Sequence, residues 1–262
     1  MFSEIFERVH NNKPLVHHIT NWVTIYDCAN ITRACGALPV MAHAQEESGQ
    51  MATISSALVL NIGTLTPYLI ESMIIAGKSA NGKKIPVVLD AVGVGATELR
   101  NEKAFELLKK IKVDIVKGNA SEIAKLSGEN VLTKGVESTV VEFDLVKVAK
   151  RMAYIYKTNV VITGKEDIVT DGNKVYIVRN GHEMMSCIVG TGCMASSVIG
   201  AFAGVEKNYA LASASALVCF GIAGELAAPQ SKGPGTFKEH LFDEMYNLDR
   251  EKIDRMVKIE EK

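Results

Sequence analysis

The chain has 262 residues, 47% of them hydrophobic, with 29 basic against 30 acidic side chains. That length and apolar share support one sizeable core, expected here as a single domain over residues 1–262. The even balance of charge excludes an overall field that would steer the chain onto nucleic acid or an anionic membrane, so the expected partner is a small molecule.

The first residues, Met1-Phe2-Ser3-Glu4-Ile5-Phe6-Glu7-Arg8, carry acids where a secretory signal needs a basic start and an apolar run, which predicts a cytoplasmic protein. Strands are predicted at Leu15 to Ile19, Leu38 to Met41, Ala57 to Ile62, Pro86 to Asp90, Val113 to Lys117 and Val160 to Thr163. These runs are almost continuously apolar, as strands covered on both faces must be. The amphipathic stretches Leu65 to Lys78, Glu98 to Ile111 and Phe143 to Thr158 supply crossover helices between them. The predicted fold class is therefore α/β, a mostly parallel central sheet flanked by helices. After Thr163 the pattern changes to two alternating runs around Asp171-Gly172-Asn173, a hairpin signal that predicts an antiparallel edge.

From Thr191 onward the chain reads as helical, with a break at Pro229 to Pro234. The apolar stretch from Ala210 to Ala228 is interrupted by Ser213, Ser215 and Glu225 and is rich in small residues, so it predicts a closely packed buried helix rather than a membrane span. Five cysteines (Cys28, Cys35, Cys187, Cys193 and Cys219) have neither metal-ligand spacing nor a secreted context. All but Cys193 are expected in the core, and Cys28 and Cys35, seven apart, on one helical face.

Ligands of open parallel sheets bind beyond the carboxyl ends of the strands, where this chain offers Asn21, Met41, His43, Asn61, Asp90, Lys117, Asn119 and Thr163. Asn119-Ala120-Ser121-Glu122 opens a helix, so Glu122 either completes a capping box or holds magnesium through water; the two roles can overlap. Asp90 is either a turn former or a carboxylate at the ligand edge, and Lys117 either pairs with phosphate or is a solvated strand end. His17 and His18 point to opposite faces of a strand, and neither is assigned a role. In Gly190-Thr191-Gly192-Cys193 a tight turn runs into a helix whose first N–H groups converge on one spot, an anion hole suited to a transferring phosphoryl group.

The order of these pieces resembles the ribokinase-like superfamily and, within it, the hydroxyethylthiazole kinase family. The strings that carry the resemblance are Pro39-Val40-Met41-Ala42-His43-Ala44, Leu60-Asn61-Ile62-Gly63-Thr64-Leu65, Gly93-Val94-Gly95-Ala96-Thr97, Gly118-Asn119-Ala120-Ser121-Glu122 and Gly190-Thr191-Gly192-Cys193-Met194. The cysteine is the sharpest marker, because the wider superfamily usually has aspartate there. The resemblance implies phosphorylation of 4-methyl-5-(2-hydroxyethyl)thiazole by ATP with Mg2+, and a homotrimer with sites between subunits. It also implies that Met41 lines the thiazole pocket and Gly190 faces the substrate, that Lys117 and Thr163 contact ATP, that Asp90 and Glu122 organise magnesium, and that Cys193 lies beside the attacking hydroxyl. One departure is Ala91, where the family often has proline, and a locally looser turn is expected. A thiol's reference pKa of about 8.5 falls at a helix N-terminus, so partial ionisation of Cys193 is expected unless the triphosphate opposes it. Competing readings are a ribokinase-like kinase for a pyrimidine or pyridoxine alcohol, a nucleotide-dependent lyase of the same fold, and a thiazole-binding protein without turnover.

Overall fold

The computed structural model describes residues 1–128 and 144–262. Among the described residues nine strands run in chain order: β1 (Leu15–Ile19), β2 (Leu38–Val40), β3 (Ala57–Asn61), β4 (Val87–Asp90), β5 (Ile115–Asn119), β6 (Asn159–Thr163), β7 (Asp167–Thr170), β8 (Val175–Val178) and β9 (Ile259–Glu261). They form one sheet in the lateral order β2-β1-β3-β4-β5-β6-β7-β8-β9. The strands from β2 to β6 are parallel to their neighbours, whereas β7, β8 and β9 add antiparallel pairs. The predicted antiparallel edge is present: β7 and β8 form the hairpin, and β9 extends it outward. Three residues close to the carboxyl end pair with β8 and cover it, a long-range pairing that local patterning does not encode.

The helices are α1 (Phe2–Asn12), α2 (Ile25–Ala34), α3 (Gln45–Ile54), α4 (Pro67–Gly82), α5 (Glu98–Lys110), α6 (Ala120–Leu126), α7 (Leu145–Tyr156), α8 (Thr191–Ala203), α9 (Tyr209–Ala227), α10 (Pro234–Tyr246) and α11 (Arg250–Met256). Local chemistry sets several starts: Thr66 caps α4 by accepting from Leu69 N–H, with Pro67 in the first turn, and Thr97 caps α5. The predicted start of α7 at Phe143 lies outside the described residues.

Alternation along each strand splits the core into two layers. Val16, Val59, Val88, Ile115 and Val161 pack with α1, α2, α8, α9, α10 and α11, while Leu58, Leu60, Leu89, Val116 and Ile162 pack with α3, α4, α5, α6 and α7. Helix α9 is apolar all round and buried among its neighbours, as the small-residue pattern predicts. Cys28, Cys35 and Cys219 are buried, but Cys187 is exposed on a short 3₁₀ turn, contrary to its expected place in the core.

Candidate active site

Strand register assembles the centre of the site. Asn61 pairs with Asp90 across β3 and β4, and Asp90 pairs with Lys117 across β4 and β5, so three polar side chains stand in a row at the carboxyl ends of adjacent strands. Asp90 is fully buried and accepts three hydrogen bonds: Oδ1 accepts from Lys117 Nζ at 3.2 Å, and Oδ2 accepts from Asn61 Nδ2 at 2.9 Å and from Ser196 Oγ at 2.8 Å. Lys117 is buried too. Desolvation alone would lower its pKa, but the carboxylates of Asp90 and Glu122 outweigh burial and hold it above its ordinary value, so the ammonium keeps its charge. The solvated strand end weighed for Lys117 is thereby excluded.

Helix α8 delivers its amino terminus to this row. Gly190, the N-cap residue, has φ +100°, and a Cβ there would stand 2.6 Å from Thr24 Cγ2, so both the backbone angle and the close approach call for glycine. The first helical bond runs from Met194 N–H to Gly190 O at 2.8 Å, and no side chain caps the start. The N–H groups of Thr191, Gly192 and Cys193 precede that bond and point out of the helix. A Cβ on Gly192 would lie 3.0 Å from Lys117 Nζ, so the backbone of the turn at Gly192 passes close to the buried cation. Thr191 anchors the turn by donating its hydroxyl to Met185 O at 2.9 Å.

Cys193 Sγ accepts from Asn21 Nδ2 at 3.4 Å. Burial, aided by the negative charge of Asp90, raises the Cys193 pKa against the pull of Lys117. The thiol therefore stays protonated near neutrality in the free protein, which decides a balance the sequence leaves open: desolvation outweighs the favourable charges.

Glu122 completes the capping box of α6. Its Oε2 accepts from Asn119 N–H at 2.7 Å while Glu122 N–H donates to Asn119 Oδ1 at 2.9 Å, and its Oε1 takes Gly93 N–H at 2.7 Å. A carboxylate has about four lone-pair sites, so two remain for a hydrated cation. These oxygens fit water-mediated magnesium. Asp90, with three donors already on it, does not fit as a direct ligand, and no group of three or more ligating side chains stands together among the described residues.

Ala91 replaces the expected loose turn with a fixed one. Its N–H donates to Lys117 O at 2.9 Å, a ladder bond that proline could not make. Arg100, unremarked in the sequence, ties the same rim together by donating to Ile62 O at 2.9 Å, Val92 O at 2.9 Å and Gly63 O at 2.7 Å. Thus Asp90, Lys117, Glu122, Gly192 and Cys193 are gathered at one place. Thr163 ends the adjacent strand β6, with Oγ1 3.5 Å from Gly118 O, whereas Met41 follows β2 at the far side of the rim, beyond β1. A groove of about 460 Å³ between α2 and α10, lined by Tyr26, Asp27, Lys238 and Tyr246 among others, contains none of the five gathered residues.

The mostly parallel sheet with its antiparallel extension, flanked by helices, has the ribokinase-like fold. The pyridoxal kinase from Staphylococcus aureus in complex with ADP superposes with a TM-score of 0.59 at 15% identity, covering 81% of this chain and 88% of that one, a likeness of fold alone. The model of the hydroxyethylthiazole kinase family matches residues 6–251. A hydroxyethylthiazole kinase of Methanosarcina mazei is 62% identical over 253 residues, covering 97% of each chain. The structure of the hydroxyethylthiazole kinase protein from Pyrococcus horikoshii has a TM-score of 0.91 at 39% identity, covering 100% of this chain and 98% of that one. The chain belongs to the hydroxyethylthiazole kinase family. Membership carries the activity: a kinase that phosphorylates hydroxyethylthiazole in thiamine biosynthesis.

Proposed function

We propose that the α8 turn and the Lys117–Asp90 pair are the phosphoryl-transfer centre, acting on ATP and the hydroxyethyl group of 4-methyl-5-(2-hydroxyethyl)thiazole. The observation that carries this reading is the uncapped N–H array of Thr191, Gly192 and Cys193 held against a buried ammonium. Charge on a transferring phosphoryl group spreads over its equatorial oxygens in a loose transition state, so fixed donors and a fixed cation there lower the barrier without reorganising. Thr163 contacts the nucleotide one strand further on, and Met41 and Gly190 contact the thiazole alcohol.

The hydroxyl oxygen of the substrate forms a bond to the γ-phosphorus as the bond from that phosphorus to the β,γ-bridging oxygen breaks. The hydroxyl proton leaves late, onto an oxygen of the transferred phosphoryl group, and passes from there to solvent. Cys193, protonated while it waits, orients the hydroxyl rather than acting as a standing base. Glu122 would hold magnesium through water, a cation that would draw charge from the nucleotide phosphates, and Asp90 contributes by fixing Lys117 and Ser196.

The protein works as a single domain in the cytoplasm and as a homotrimer, each site drawing Met41 and the Gly190 turn together at a subunit boundary. Coupled ATP consumption with and without the thiazole alcohol tests the reading: thiazole-dependent turnover is expected, and equal or better turnover with pyridoxine or a pyrimidine alcohol would overturn it. Sedimentation at micromolar concentration should give a trimer; a fully active monomer would remove the shared-site claim.

A further inference from the structure

Between Asp90 and Cys193 stands a buried amide pair that the reaction as described does not use. Asn61 is 1% exposed and uses both ends of its carboxamide. Its Nδ2 donates to Asp90 Oδ2 at 2.9 Å, while its Oδ1 accepts from Gly63 N–H at 2.9 Å and from Asn21 Nδ2 at 3.0 Å. Asn21 lies within hydrogen-bond reach of more partners than its two amide hydrogens can serve: Asn61 Oδ1 at 3.0 Å, Thr24 Oγ1 at 2.9 Å and Cys193 Sγ at 3.4 Å. The rotating hydroxyl of Thr24 offers a way out of this conflict. Thr24 Oγ1 donates to Asn21 Oδ1 at 3.1 Å, which leaves the two amide hydrogens for Asn61 Oδ1 and Cys193 Sγ. Asn21 Oδ1 also accepts the N–H groups of Val23 and Thr24, both at 3.0 Å, so the amide cannot flip without losing them.

We propose that Asn61 is a positioning residue for phosphoryl transfer: its carboxamide fixes the Asp90 carboxylate with one end and, through Asn21, aims a donor at Cys193 with the other. The two arms explain why an amide stands here. Aspartate would lose the donor to Asp90 and set two carboxylates side by side in a dry place, and an apolar residue of similar shape would strand the Gly63 and Asn21 donors. The register pairing of Asn61 with Asp90 makes the row rigid, because the two side chains leave adjacent parallel strands side by side.

This inference rests on the assignment of Asp90 and Cys193 to the reacting centre, so Cys193→Ser is measured beside the test variants. In Asn61→Ser the shorter hydroxyl cannot span both partners. It should lower kcat by about thirtyfold with the KM for ATP and for the thiazole alcohol each within about threefold of the parent, the mark of an interaction made in the transition state. The same variant should slow iodoacetamide alkylation of Cys193 by about threefold or more at fixed pH, because a thiolate that loses its amide donor forms less readily. Exposed Cys187 serves as the internal reference and should be unchanged. Parental kcat, a KM rise that accounts for the loss, or an unaltered Cys193 alkylation rate would each overturn the proposal. Should Asn61→Ser melt below the assay temperature, Asn21→Ala decides, since Cys193 alkylation must slow there too and a parental rate overturns the proposal. Parental turnover in Cys193→Ser would remove the site assignment and this inference with it, whereas loss there with none in Asn61→Ser would remove this inference alone.

Discussion

Two helices begin at the same rim of the sheet and treat their first N–H groups in opposite ways. At α6 the donors are consumed internally: Asn119 Oδ1 and Glu122 Oε2 close a reciprocal box, and Gly93 N–H occupies the second oxygen of Glu122. At α8 the cap is Gly190, which has no side chain to return a hydrogen bond, so the donors of Thr191, Gly192 and Cys193 are left uncapped, with the backbone at Gly192 close to Lys117. The positive end of the helix dipole is present at both, but only an uncapped terminus in contact with a fixed cation is prepared for an anion. A capping signature is therefore evidence that a helix start is already satisfied, and its lack beside a glycine turn is the more informative sign.

The contrast breaks most sharply at Gly190. Gly190→Ala forces a side chain into φ +100° and sets a methyl group 2.6 Å from Thr24 Cγ2, which displaces the α8 donors. Loss of such preorganised donors should lower kcat by roughly a hundredfold to a thousandfold, about 3–4 kcal/mol of transition-state stabilisation. Adding Thr24→Ser removes the clashing methyl and should recover part of that loss in steady-state assays; no recovery would mean that the clash is not the cause.

Glu122→Gln asks whether the capped terminus is structural, functional or both. Glutamine offers one acceptor oxygen where glutamate offers two, so either Asn119 N–H or Gly93 N–H loses its partner, at a cost of about 1–2 kcal/mol in denaturant unfolding. Turnover should fall by at least about tenfold in the same protein, beyond what a melt can explain, because the charge proposed to hold hydrated magnesium is gone. If the folded fraction keeps full activity, Glu122 is a cap alone. The stability difference also carries a pH signature. Burial raises the folded pKa of Glu122 against the pull of Lys117, so the folded state holds its proton to higher pH than the unfolded state does. Its stabilising contribution is fully present below the ordinary carboxyl range and declines as the pH rises through the raised pKa. The parent's advantage over Glu122→Gln should thus be larger near pH 4 than near pH 8, and the reverse trend would contradict the stated environment.

Cys193→Ser should have the smallest effect, a drop of about threefold to tenfold in kcat, since the backbone donors of α8 survive and a thiol held protonated by burial is no standing base. Complete loss, with folding and ATP binding intact, would show that the thiol itself is indispensable and that the uncapped terminus is not the main source of rate.

The parts legible from sequence are those in which a residue and its neighbours within one turn or one strand decide the outcome. The apolar runs ending at Ile19, Asp90 and Thr163 form strands because they can be covered on both faces, and Asn-x-x-Glu at 119–122 forms a capping box because its partners are three residues apart. The turn at Gly190 was visible for the same reason. Resemblance to a known family extended this to Lys117, Thr163 and Met41, whose expected roles no local pattern specifies.

Tertiary structure alone decided which strand ends became neighbours. Asn61, Asp90 and Lys117 are far apart in the chain and touch only because β3, β4 and β5 lie side by side in that register. The same lateral order turned Ala91 N–H into a ladder donor, brought Arg100 across three carbonyls, buried the thiol of Cys193 deeply enough to keep its proton, and set β9 over the hairpin. Cys187 went to the surface against its apolar character because it falls on the short turn that leads into α8. Local periodicity and capping act over a few residues, where the chain itself keeps partners close. Desolvation, register and long-range hydrogen bonds depend on which surfaces the folded core presses together, and that is settled only when the whole sheet has formed.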